Sequence, residues 1–252
     1  MTRSVDDGHP REDEGAGERF FRETRHARGR LGGGWLDWEN QPPPFKTYPG
    51  AEQVALPEPA PAKADLWEAL ARRRSVRSFS SGPISLSDLA TLLWAGAGVS
   101  TVQAGYALRT APSAGALYPV ETYVVAHRVQ GLDAGAYHYA VLERSLERIV
   151  AGDLSVPVAR AALDQGMARD AAAVFVWSAI WRRSIWKYGQ RAFRYVPLDA
   201  GHIAENVALA TAALGLGCCQ IAAFYDDEAD ALIQVDGREE SVVYMAVVGR
   251  PG

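Results

Sequence analysis

Apolar residues recur along this chain with two different periods, and the switches between them mark out its elements. Over residues 85–97, Leu89, Leu92, Leu93 and Ala97 fall on one helical face, with Ser85 placed to cap and Asp88 three residues on. Over residues 199–216, Ile203, Val207, Ala210 and Leu214 repeat the pattern, with Asp199 as the expected cap and Gly215 and Gly217 as the stop. A shorter helix is expected to start at Asp65 and to run through residues 66–71 into a basic cluster. Between these lie β-branched and aromatic runs of strand length: residues 121–127, 136–141 with 146–149 as a hairpin partner, and 241–248. Residues 171–180 are mostly apolar, which suits a central strand covered on both faces. Strands and helices interleave without strict β-α-β repetition or an internal repeat, so the expected class is α+β, a mixed sheet covered by helices.

The start of the chain lacks either period. Residues 1–19 mix Gly, Asp, Glu and Arg and are expected to form a disordered tail. Residues 20–61 are rich in Pro, Gly and aromatics. The run from Asn40 to Gly50 should be extended, because Pro fixes φ and disfavours helix in the residue before it. Phe20, Phe21, Trp35, Trp38, Phe45 and Tyr48 would anchor this arm to the surface of a body spanning residues 62–252.

Composition narrows the function. The 252 residues are 48% hydrophobic, enough for a full core. A formal charge of −4 gives no reason to expect a nucleic-acid partner. The two cysteines, Cys218 and Cys219, are adjacent, and the five histidines have no metal-binding spacing, so no metal is expected. No apolar run approaches the ~20 residues needed to span a bilayer, and the charged start has no signal-peptide centre, so a cytoplasmic protein is expected.

Two clusters could hold a ligand. In residues 72–77 (RRRSVR), guanidinium forks could bind a phosphate through paired charged hydrogen bonds, and Arg73 and Arg77 would point the same way on a helix end. A solvated basic helix terminus explains the same residues. In residues 109–119 (RTAPSAGALYP), small residues and Gly would let backbone approach a ligand, though an ordinary turn before a strand fits too. Dinucleotide and phosphate-loop fingerprints are missing.

Taken in order, Arg73-Arg74-Ser75-Val76-Arg77, then residues 112–121 (PSAGALYPVE), then Asp199-Ala200-Gly201-His202 through Asn206 to Gly215-Leu216-Gly217 resemble the SagB-type dehydrogenases of the nitroreductase family. That resemblance implies a nitroreductase-like, mostly antiparallel sheet flanked by helices, and non-covalent FMN at the interface of a homodimer. It implies that Arg73, Arg74, Ser75, Arg77 and Arg250 contact the flavin and its phosphate. Pro112, Ser113, Ala114 and Gly115 would approach the flavin, with Ser113 and Gly115 reaching it from the partner subunit, and backbone at Ala222 and Ala223 would approach the ring.

Residues 186–195 (WKYGQRAFRY) are similar to the segment of azoline oxidases in which a Lys-Tyr pair is catalytic, so Lys187 and Tyr188 are the implied catalytic residues. Oxidising an azoline to an azole removes a hydride, which flavin accepts, and a proton, which needs a base. A tyrosine with a pKa of ~10 would need a nearby ammonium to favour its phenolate, and Lys187 could supply it. The implied substrate is a peptide or peptide-like small molecule, with a cyclodehydratase as a possible partner. The alternative on the same scaffold is a broad NAD(P)H-dependent nitro- or quinone reductase.

Overall fold

The computed structural model describes residues 14–28, 35–60 and 64–252. Its helices are α1 (Ala16–Glu23), α2 (Leu66–Arg72), α3 (Leu86–Ala97), α4 (Ser155–Ala161), α5 (Gly166–Asp170), α6 (Trp181–Tyr188), α7 (Ala192–Ala213) and α8 (Asp226–Leu232). Its strands are β1 (Gln53–Ala55), β2 (Ile84–Ser85), β3 (Val99–Gln103), β4 (Tyr106–Arg109), β5 (Val120–Ala126), β6 (Val129–Gln130), β7 (Gly135–Ala140), β8 (Ser145–Ala151), β9 (Ala173–Ile180), β10 (Gly217–Ile221) and β11 (Glu240–Gly249).

Seven strands form one sheet in the order β1-β8-β7-β5-β9-β11-β10, with every neighbouring pair antiparallel. The apolar run that predicted a covered central strand is β9, buried along its length up to Ile180 and flanked by β5 and β11. Its side chains alternate between faces, as a pleated strand requires. Phe175 and Trp177 join the core under α3 and α7, whereas Val174 and Val176 join a second core under α4, α5 and α8. The sheet is therefore sandwiched between two helical layers. The Asp65 cap and the Ser85–Asp88 capping box form as the sequence predicts.

Three differences matter. Residues 16–19, expected in the tail, form the first turn of α1. There Glu18 Oε2 accepts from the Gly15 backbone at 3.0 Å, and the Arg194 guanidinium lies 4.4 Å from the Phe21 ring centre. Residues 1–13 of that tail lie outside the described residues. Trp35 is fully exposed and anchors nothing. And α7 begins at Ala192, seven residues before the expected cap, with Pro197 inside it. Asp199 is thus an interior residue, 4% exposed.

The arm is tied to the body through polar groups as much as through its rings. Near one end of the second core, the strands carry Glu121, Tyr123, His138, Glu147, Ser178 and Glu240, all buried. His138 lies between Glu147 (2.7 Å) and Glu121 (3.0 Å), and Arg183 pairs with Glu121 at 2.5 Å. The arm covers this cluster. Lys46 pairs with Glu240 at 2.5 Å, the Tyr48 hydroxyl meets that of Tyr123 at 2.9 Å, and the Pro43 and Pro44 carbonyls accept from Arg183 and Arg109. Buried polar groups left without partners cost about 1–3 kcal/mol each, so arm and cluster stabilise each other.

Candidate active site

The arginine run does not continue helically past Arg72. From Arg73 the chain is extended and lies beside β10, with the Val76 N–H donating to the Cys218 carbonyl at 2.9 Å and Ser75 bridging Cys218. Gly217 is what allows this approach, because a methyl there would sit 2.7 Å from a Val76 methyl. Further along, the Ser80 N–H donates to the Arg250 carbonyl and the Gly252 N–H to the Ser78 carbonyl. The expectation that Arg73 and Arg77 align through helical spacing is therefore corrected. In an extended run, alternate residues 73, 75 and 77 share a side.

This strip carries Arg73, Arg74, Ser75 and Arg77, and residues 250–252 dock just beyond it, against residues 78–80. Arg73 comes within 4.0 Å of Glu205 on α7, Arg74 donates to the Ala71 and Arg73 carbonyls, Arg77 to the Ser75 carbonyl, and Arg250 to the Pro83 carbonyl. A guanidinium has five N–H donors, so most remain available at each. Among the described residues, Glu205 is the one carboxylate ion-paired to any of them. Four guanidiniums with spare donors suit a phosphate. Ala222 and Ala223 follow β10 directly and are exposed, and the Ala223 carbonyl accepts from Gln165.

Pro112, Ser113, Ala114 and Gly115 form the turn into β5. Ser113 Oγ donates to Asp199 Oδ2 at 2.6 Å, the Ala114 N–H donates to Asp199 Oδ1 at 3.2 Å, and the Tyr118 N–H donates to Ser113 Oγ at 3.0 Å. The Ser113 proton is thus spent inside its own chain. Gly115, Ala116 and Tyr118 have φ of +66°, +53° and +46°, a left-handed region unfavourable for the last two. Among the described residues no hydrogen bond or ion pair joins this turn to residues 73–77. Their partners Asp199 and Glu205 are six residues apart on α7, about 120° around the helix.

Lys187 and Tyr188 end α6, where Gly189 turns the chain with φ +53°. Neighbours in sequence normally diverge on a helix. Here both tips converge: a methyl on Gly115 would overlap the Tyr188 hydroxyl and lie 3.0 Å from Lys187 Nζ. Nζ is 5.5 Å from the Tyr188 ring centre. Tyr195 meets Tyr188 edge-on at 5.0 Å and accepts from Arg191 Nε at 2.7 Å. Burial, then the charges of Tyr195 and Asp199, push the Tyr188 pKa up. This runs against the expectation that Lys187 would favour the phenolate.

A cleft of about 610 Å³ opens beside this pair, walled by Trp38 and Pro42 of the arm, Tyr106 of the β3–β4 hairpin, Gly115, Trp186 and Lys187. Trp38 packs edge-on against Trp186 at 5.2 Å, and the Trp186 indole N–H donates to the Asp37 carbonyl. Sequence pattern alone did not reveal the hairpin wall or Asp199 as an acceptor for the 113–114 turn. An acidic residue before a periodic helix carries the same signature whether it caps or accepts from elsewhere. No helix among the described residues is long and apolar enough to cross a membrane.

Comparison with known proteins agrees with this architecture. The Nitroreductase family matches residues 70–250. A Methanocaldococcus jannaschii protein provisionally named a nitroreductase is 37% identical over 198 residues, covering 79% of this chain and 96% of its own. The trifolitoxin-processing protein of Rhizobium leguminosarum bv. trifolii is 32% identical over 174 residues, 65% of this chain and 47% of its own, so the chain spans about half of that relative. A nitroreductase-like crystal structure from Anabaena variabilis aligns with a TM-score of 0.71 at 29% identity, covering 81% of this chain and 42% of the other. The Escherichia coli microcin synthetase McbBCD complex with truncated pro-MccB17 aligns with a TM-score of 0.63 at 22% identity, covering 72% of this chain and 70% of the other. A family match over most of the chain, and a guanidinium strip suited to a flavin phosphate, lead to one assignment: this chain belongs to the nitroreductase family of FMN-dependent oxidoreductases.

Proposed function

We propose that this enzyme is a SagB-type dehydrogenase that oxidises an azoline ring in a peptide or peptide-like natural product to an azole. The observation that carries the reading is the convergence of Lys187 and Tyr188 on Gly115 at the edge of the cleft. FMN, when bound, would supply the two-electron acceptor that this oxidation needs. Arg73, Arg74, Ser75, Arg77 and Arg250 would hold its phosphate and pyrimidine edge, with backbone at Ala222 and Ala223 against the ring. The ring proton is taken by the Lys187–Tyr188 pair, at Tyr188 Oη or Lys187 Nζ. Because the Tyr188 pKa is raised, turnover that needs its phenolate climbs with pH through and beyond neutrality.

The active unit in this reading is a homodimer. The arginine strip and the 112–115 turn bond to points about a third of a turn apart around α7 and make no hydrogen bond to each other among the described residues, which supports a site completed by a second copy. Leu66, Trp67 and Leu70 on α2, beside the strip, are exposed apolar groups suited to that contact. A relative named for trifolitoxin processing, and a fold shared with a synthetase complex bound to pro-MccB17, support a peptide-derived substrate. A cyclodehydratase is the class of enzyme that would supply an azoline.

The archaeal relative's nitroreductase name favours a second reading, NAD(P)H-dependent reduction of nitro compounds or quinones. The two separate in one assay. Oxygen consumption with an azoline peptide, lost at least 100-fold in Tyr188→Phe with FMN still bound, supports dehydrogenation. Rapid flavin bleaching by NAD(P)H with nitroaromatic turnover, and no change with azoline peptide, favours the reductase.

A further inference from the structure

We propose that Asp199 is a positioning residue for the Lys187–Tyr188 pair: its carboxylate locks the 113–118 turn onto α7, so that Gly115 becomes the seat on which both side chains converge. The inference rests on the reading of that pair as the proton-handling group. It goes beyond that reading by assigning the residue that builds the seat.

The geometry is specific. Both Asp199 oxygens are used, one accepting from the Ser113 hydroxyl and one from the Ala114 N–H, on consecutive residues of the turn. Ser113 Oγ then accepts from the Tyr118 N–H and closes the turn from its far side. Within this span the chain carries Ala116 and Tyr118 at positive φ, a strained region for residues with a side chain. Such a conformation persists only where the surroundings over-determine it. Asp199 supplies that constraint at Ser113 and Ala114, and the next residue in the turn is Gly115, against which the Tyr188 hydroxyl and Lys187 Nζ lie.

A second effect follows from charge. The titratable groups facing Asp199 are Tyr188 at the end of α6, His202 one turn on in α7, and Arg109 and Tyr118 across the small cavity beside the turn. Burial raises the Asp199 pKa, and its hydrogen bonds from Ser113 and Ala114 oppose that. Once ionised, Asp199 favours the protonated form of Tyr188. The same carboxylate therefore holds the seat of the phenol and adds to burial and Tyr195 in favouring its protonated form.

The test needs neither FMN nor turnover. The chain is labelled with 3-fluorotyrosine, and the Tyr188 resonance is identified as the fluorine signal missing in Tyr188→Phe. Asp199→Asn keeps a group able to bond to Ser113 and Ala114 but removes the charge, so the Tyr188 titration midpoint should move to lower pH. Asp199→Ala removes both functions and should also shift the Tyr188 signal at neutral pH, as the seat loosens. Ser113→Ala, which leaves the charge in place, should move that neutral-pH signal without the titration shift; it also carries the positional test if Asp199→Ala does not fold. An unchanged Tyr188 signal and midpoint in Asp199→Asn and Ser113→Ala would overturn the proposal. Turnover of an azoline peptide is read in parallel. If the parent shows none while the fluorine shifts appear, the substrate reading fails and the role of Asp199 stands.

Discussion

Gly115 sits at φ +66°, and the space its missing side chain leaves is filled by the tips of Tyr188 and Lys187. Gly115→Ala would place a methyl inside the Tyr188 hydroxyl and force an L-residue into the left-handed region, at a cost of about 1–2 kcal/mol. We expect thermal unfolding to show that modest loss, and azoline turnover to fall at least tenfold in protein saturated with FMN. A variant as active as the parent would remove the seat from the mechanism. Local composition made part of this site legible. Arg73, Arg74, Ser75 and Arg77 stand out as a cluster, and Lys187 and Tyr188 as a pair. Gly115 also stood out as a small residue, but what fills its empty side comes from α6, more than seventy positions away, which no local pattern encodes.

Among the elements, β10 shows how a short strand escapes sequence reading. Its five residues, Gly217 to Ile221, begin on one of the two glycines that end a helix, so the segment reads as a helix stop. In the structure it pairs with β11 on one side and receives the arginine strip on the other. Gly217→Ala should push Val76 outward and lift the strip from β10. Equilibrium binding of FMN is then expected to weaken about tenfold or more, with the far-UV circular dichroism of the parent retained. Unchanged affinity would separate the strip from the phosphate. Helix α3, by contrast, was readable to its capping box, because both its start signal and its apolar face are local.

For the whole molecule, the buried cluster beneath the arm makes stability depend on acid. Burial alone would raise the Glu121 pKa, but the His138 hydrogen bond and the Arg183 guanidinium outweigh it and hold the carboxyl at about 2. Its unfolded value is about 4.3. The stabilisation is therefore complete above the unfolded value and is lost as pH falls toward 2, on the order of 2–3 kcal/mol. Denaturant unfolding between pH 6 and pH 2.5 should show that decline, and Glu121→Gln should be less stable at pH 6 with a flatter profile. Parallel profiles for parent and variant would show that this carboxyl does not control the acid limb.

Taken alone, the sequence determined the α+β class, the covered central strand, the caps at Asp65 and Ser85 and the basic cluster, since each depends on residues within a few turns of one another. It also carried ordered motifs whose membership of the nitroreductase family, though not of a branch within it, the comparisons bear out. Tertiary structure alone decided that the arginine run leaves its helix to lie along β10, that Asp199 is an interior acceptor holding a strained turn, and that the arm covers a buried charge cluster. The physical reason is common to all three. Hydrogen-bond partners of an extended or buried segment are chosen by what packs beside it, and that neighbour is brought there by the sheet, not by adjacency in the chain.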